Sequence, residues 1–153
     1  MKKLLLLLAF AFMVVMPMSA SIIIEDTTLI RNFYTEYQKA WKYEDARNFD
    51  TFEYTDKVLE KYTADDFITK IQKSEVQYDY PSDDFGLDDL SIQTLKIVPR
   101  KGGKYMVSFK VHYTTPRGKK LIPTIKVIVT IKNRKIIDAT GLMTPKELLE
   151  LMS

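Results

Sequence analysis

The side chains able to do chemistry in this sequence are few, and they are not gathered into a motif. Asp138 is the one acid between Asp89 and Glu147, and it sits between Ile137 and Ala139 in an alternating stretch. Turned into an apolar interior, its carboxyl would be raised by desolvation and become a weak candidate for a catalytic base. Turned outward, it would pair with a nearby lysine. His112 is the only imidazole, and Ser108 and Lys110 share its parity on a strand, which places it on the polar face. No nucleophile, base and orienting acid fall in order, and Gly102-Gly103 and Thr140-Gly141 are too isolated to cradle a phosphate.

The total absence of cysteine excludes disulfides, thiolate metal sites and thiol nucleophiles, and one histidine excludes a multi-histidine centre. The acidic stretch 79–89 lacks the ligand spacing of a calcium loop, so no metal and no cofactor are expected. Tyr34, Tyr37 and Trp41 recur on one helix face and Tyr105 lies on a strand; together they are the candidates to line a ligand pocket or, more simply, to pack a core. Lys110, His112, Lys126 and Lys132 share the other strand face and are candidate partner contacts. Nucleic acid is not the expected partner, because the aromatic residues alternate away from these lysines and leave no stacking platform.

These residues must be positioned by a short series of elements. Ile30, Phe33, Tyr34, Tyr37 and Trp41 recur at three and four residues and predict a helix over 28–43, with Asp26, Thr27 and Thr28 as caps. A short helix follows over 56–62. A third opens at the capping signal Thr63-Ala64-Asp65-Asp66 and carries Phe67, Ile68 and Ile71. Residues 78–89 read as an acidic loop broken by Pro81 and Gly86. Strands are expected over 92–98, 104–114 and 121–132, with turns at 99–103, 116–118 and 133–134, and a last strand ends near 140. Pro123 implies an edge or a bulge. Thr144, Pro145 and Glu147 form a capping signal for a short C-terminal helix. Helices first and a meander afterwards predict a single α+β domain, with the helices packed on one face of an antiparallel sheet.

Lys2 and Lys3 precede an uncharged apolar run over 4–16, followed by Pro17 and small residues, the pattern of a secretory signal peptide over 1–21 with cleavage within 20–22. The alternative is an uncleaved anchor, since 4–24 carries no charge and is long enough to span a bilayer. Either way the domain at 22–153 is expected to be exported, to the periplasm or the medium. Its charge is segregated: residues 21–95 hold 8 basic and 17 acidic side chains, residues 96–153 hold 13 and 3, and the net +3 conceals −9 against +10.

Several strings also resemble a known family. Phe33-Tyr34 with Tyr37 and Trp41, Leu59-Glu60-Lys61-Tyr62-Thr63, Tyr78-Asp79-Tyr80-Pro81, Leu95-Lys96-Ile97-Val98 and Tyr105-Met106-Val107-Ser108-Phe109 resemble the bacterial secreted domain of unknown function 3828. The resemblance covers roughly 28–141 and implies a cone of helices on a curved antiparallel sheet, similar to nuclear transport factor 2; the capped terminal helix departs from that pattern. It transfers no catalytic residue. The functional expectation is an exported, non-enzymatic binding module that meets a protein or envelope component through the polar sheet face or the acidic loop. The alternatives are a small-molecule pocket, lined by Tyr34, Tyr37, Trp41 and Tyr105 with Asp138 as an isomerase- or dehydratase-type acid, and an immunity or inhibitor protein. A homodimer through the sheet face is a further partner expectation, and membrane attachment is expected only through an uncleaved N-terminal segment.

Overall fold

The computed structural model describes residues 18–47, 52–73, 80–82 and 85–143. Most of the proposed signal segment and the expected C-terminal helix lie outside these residues. Helix α1 (Met18–Asp45) is longer than its apolar stripe required. The expected caps do not stop it, because each has another use. The Thr27 and Thr28 hydroxyls donate back to the Ile24 carbonyl, and Asp26 is buried, accepting a 2.7 Å hydrogen bond from the Tyr105 hydroxyl. A tertiary bond has claimed the side chain that local rules assign to a helix start.

Helix α2 (Glu53–Tyr62) begins earlier than its own sequence suggests. Glu44 of α1, only 1% exposed, supplies the cap: one carboxylate oxygen accepts the backbone N–H groups of Tyr54 and Thr55 at 2.8 and 3.1 Å, and the other accepts the Thr55 hydroxyl at 3.0 Å. The negative charge thereby faces the positive end of the helix. Helix α3 (Asp65–Lys73) is not capped by Thr63 as expected. The Thr63 hydroxyl donates to the Leu59 carbonyl, while Thr63 bridges in parallel to Ile136 and the Ala64 N–H donates to the Ile136 carbonyl. The α2–α3 joint therefore covers the edge of the sheet.

A 3₁₀ turn (Tyr80–Ser82) and helix α4 (Asp89–Gln93) follow. The stretch expected to be loop and then strand from residue 92 holds this helix instead, started by a reciprocal cap in which Asp88 accepts from Ser91 and Ser91 accepts from Asp88. Strands β1 (Lys96–Pro99), β2 (Lys104–Lys110), β5 (Thr124–Lys132) and β6 (Lys135–Gly141) form an antiparallel sheet in the order β1-β2-β5-β6. The two long strands expected at 104–114 and 121–132 are each interrupted, and their far ends pair as β3 (Tyr113–Thr114) and β4 (Lys120–Leu121) in a separate small sheet. Pro123 marks the break; its carbonyl accepts from Val111, and the ladder resumes at Thr124.

The inner sheet face presents Tyr105, Val107, Phe109 and Val111, then Ile125, Val127, Val129 and Ile131, all buried. Against them α1 packs Ile30, Phe33, Tyr34 and Tyr37, with the Tyr34 ring 5.7 Å from Phe109. Asp26 meets Tyr105 at the start of β2 and Tyr34 meets Phe109 near its end, so α1 and β2 run in the same direction. That alignment gives the domain two distinct ends. The architecture is the expected α+β arrangement of helices on one face of an antiparallel sheet.

Candidate functional site

At the far end of α1 and β2 lies an open cleft of about 350 Å³. The C-terminal half of α1 supplies Gln38, Trp41, Lys42 and Asp45; the segment leading into α4 supplies Phe85, Gly86, Leu87, Asp88 and Asp89; the chain leaving β2 supplies Val111 and His112. Its walls are aromatic and aliphatic. Its rim is charged.

Two neighbouring aspartates hold the three segments together. Asp89 accepts from the Gln38 amide at 3.0 Å and from the Lys42 ammonium at 3.0 and 3.2 Å, tying α4 to α1. One Asp88 oxygen accepts the Ser91 N–H and hydroxyl; the other accepts the His112 backbone N–H at 2.9 Å and lies 2.8 Å from its Nδ1. Burial pushes the Asp88 carboxyl up, but the hydrogen bonds from the His112 and Ser91 backbones and then their side chains outweigh it and leave it below its ordinary value. The ionised carboxylate fixes the imidazole through Nδ1 and leaves Nε2 as the outward donor or acceptor. Asp45 is exposed on the rim and makes no ion pair among the described residues.

The structure separates the residues that the sequence grouped. Tyr34 and Tyr37 are core residues: the Tyr34 hydroxyl donates to the Pro81 carbonyl at 2.8 Å, and Tyr37 stacks on Phe33 with ring centroids 5.2 Å apart. Tyr105 is also core, its hydroxyl raised well above the usual phenol value by burial and by the bond to Asp26. Trp41 alone of the four reaches the cleft. Asp138 does not line the cleft; it is 39% exposed and pairs with Lys70 at 2.7 Å, the outward alternative.

His112 also leaves the group to which parity assigned it. The β2 ladder ends at Lys110, so the alternation lapses and His112 turns to Asp88, with its side chain 67% exposed. Lys110, Lys126 and Lys132 do remain on the outer face of the sheet, where the register sets Lys96, Ser108 and Lys126 in one row across β1, β2 and β5. Among the described residues these lysines make no ion pair. Sequence reasoning missed Gln38 and Lys42 as site residues and included Asp88 and Asp89 only as part of the acidic loop. The Asp88-x-x-Ser91 cap was the signal available for one of them, since it predicts a helix where a loop and then a strand were expected.

No protein-family model matches the chain, and no curated protein matches its sequence. Among solved structures, a protein of unknown function from Bacteroides thetaiotaomicron VPI-5482 is similar at a TM-score of 0.58 and 19% identity, over 80% of this chain and 93% of that one. The NMR solution structure of TraH from the Gram-positive conjugative plasmid pIP501 is similar at 0.49 and 20% identity, over 80% and 95% of the respective chains. At such identities the first shows a shared fold and nothing more.

Proposed function

We propose that this chain is an exported, non-enzymatic binding module whose recognition element is the cleft between α1, the segment before α4 and the end of β2. The cleft itself carries the reading: apolar walls of Trp41, Phe85, Leu87 and Val111 under a rim bearing Asp45 and the Asp88–His112 pair. Such a surface suits a protein side chain that is apolar along its stem and cationic at its tip, with the charge meeting Asp45 and the stem or cation resting on the rings. None of its lining residues carries a hydroxyl or thiol nucleophile, and Asp88 already serves to cap α4. These features support recognition over nucleophilic catalysis. Export is supported by Lys2, Lys3 and the apolar run at 4–16. The helix-on-sheet arrangement supports, as part of the same proposal, the secreted domain-of-unknown-function-3828 family and its nuclear transport factor 2-like cone.

Trp41 is the only tryptophan, so its emission reports on the cleft directly. Titration with short arginine- or lysine-bearing peptides is expected to shift that emission, and glutamate-bearing peptides are not. Asp45→Lys should abolish the response. An unchanged titration curve in that variant would sink the proposal. Partner docking on the outer sheet face is the competing form of a binding module; it requires charge reversal at Lys110, Lys126 and Lys132 to weaken partner capture while Asp45→Lys leaves it intact.

A further inference from the structure

The end opposite the cleft carries a different kind of surface. Three structural ties bring it together: the Asp26–Tyr105 bond sets the start of α1 against the start of β2, the Arg134 guanidinium pairs with Glu25 of α1 at 2.9 Å, and the Ile131 N–H donates to the Gly103 carbonyl at 2.8 Å, joining the β1–β2 turn to the end of β5. One end of the molecule therefore gathers the first turns of α1 with two hairpin tips. Those tips expose Arg100, Lys101 and Lys104 on one side and Lys132 and Arg134 on the other. The acids there are already engaged, Glu25 by Arg134 and Asp26 by Tyr105.

Beside these cations α1 exposes Ile22, Ile23 and Ile24, at 53, 38 and 65%. Consecutive helical residues are about 100° apart, so the three isoleucines face roughly 200° of the helix circumference. A groove on a rigid protein can reach one or two such directions. A fluid phase surrounds all three. We infer that this end of the domain rests on an anionic phospholipid surface, with Ile22–Ile24 entering the headgroup and acyl boundary and Arg100, Lys101, Lys104 and Lys132 above the lipid phosphates. Apolar insertion beside a basic ring is the combination that holds peripheral proteins on membranes. The cleft, at the opposite end, would then face away from the bilayer.

The test is flotation of the protein, as its cell makes it, with vesicles of equal parts phosphatidylglycerol and phosphatidylcholine and with vesicles of phosphatidylcholine alone. Binding to the anionic vesicles, weakened by salt, is expected. Changing Arg100, Lys101 and Lys104 together to Gln should reduce it by about a hundredfold, each basic residue near such a surface contributing about fivefold. Ile23→Asp with Ile24→Asp should reduce it similarly, and Lys110→Gln with Lys126→Gln should not. All these positions are exposed, and circular dichroism matching the parent confirms that each variant is folded. Equal binding to both vesicle types, undiminished binding of the hairpin or isoleucine variants, or capture by soluble polyphosphate without vesicle binding would each overturn the inference.

Discussion

Glu44 is a carboxylate with almost no solvent, held by two backbone N–H groups and a hydroxyl at the start of α2. Removing it leaves the buried Thr55 N–H unmet and takes an acceptor from the Tyr54 N–H, while the Thr55 hydroxyl keeps the Phe52 carbonyl; an unmet buried donor costs more than its hydrogen bond contributed. Glu44→Ala is expected to lower stability by about 2–4 kcal/mol in urea unfolding, with Glu44→Gln losing less because its carbonyl still accepts. Asp88 makes a similar cap nearer the surface. Its folded carboxyl is held below the unfolded value near 3.9, so its contribution is full above that pH and is lost as the pH falls through the lower folded value. The stability gap between the parent and Asp88→Ala should be about 1 kcal/mol at neutral pH and close in acid; a gap that widened in acid would contradict the assignment. The cap at Asp88 had a local signal in Ser91 three residues on, although the sequence reads there as loop and then strand. Glu44 had none, because the helix it caps begins several residues later and nothing local marks a carboxylate aimed across a turn.

Among the elements, alternation in β2 and β5 and the three-and-four spacing in α1 were readable because each buries a single face against a single neighbour. The exceptions occur where a side chain serves a distant element. Asp26 serves β2, Thr63 serves β6, and both were misassigned as helix caps for that reason. The β1–β2 turn depends on Gly103, whose φ is +67° and whose added Cβ would lie 2.7 Å from the Ile131 carbonyl oxygen. Gly103→Ala is expected to cost at least about 1 kcal/mol and to lower the thermal midpoint, whereas Gly118→Ala, in open space, pays only for its positive φ and should cost less. At the β5–β6 turn, Asn133 and Arg134 both adopt positive φ, the conformation that a two-residue hairpin of right-handed twist requires.

The whole molecule is organised by the common direction of α1 and β2, which sends apolar and basic groups to one end and the cleft to the other. Functions at the two ends should therefore be separable. Asp45→Lys is expected to abolish the Trp41 response and leave vesicle binding unchanged, while the Arg100, Lys101 and Lys104 changes do the reverse; strong coupling between the two measurements would contradict this arrangement. The net charge says little about either surface, because acids concentrated in 21–95 and bases in 96–153 nearly cancel. What the sequence determined by itself is the class of fold, the buried stripe of each long element, the absence of cysteine chemistry and that segregation of charge, all of which follow from residue type and local period. Only the tertiary structure decided that Trp41 meets a cleft while Tyr34, Tyr37 and Tyr105 fill the core, and that His112 joins Asp88 rather than the sheet lysines. Those outcomes depend on where a strand ends and which distant group accepts a hydrogen bond, and neither is encoded in the spacing of the residues involved.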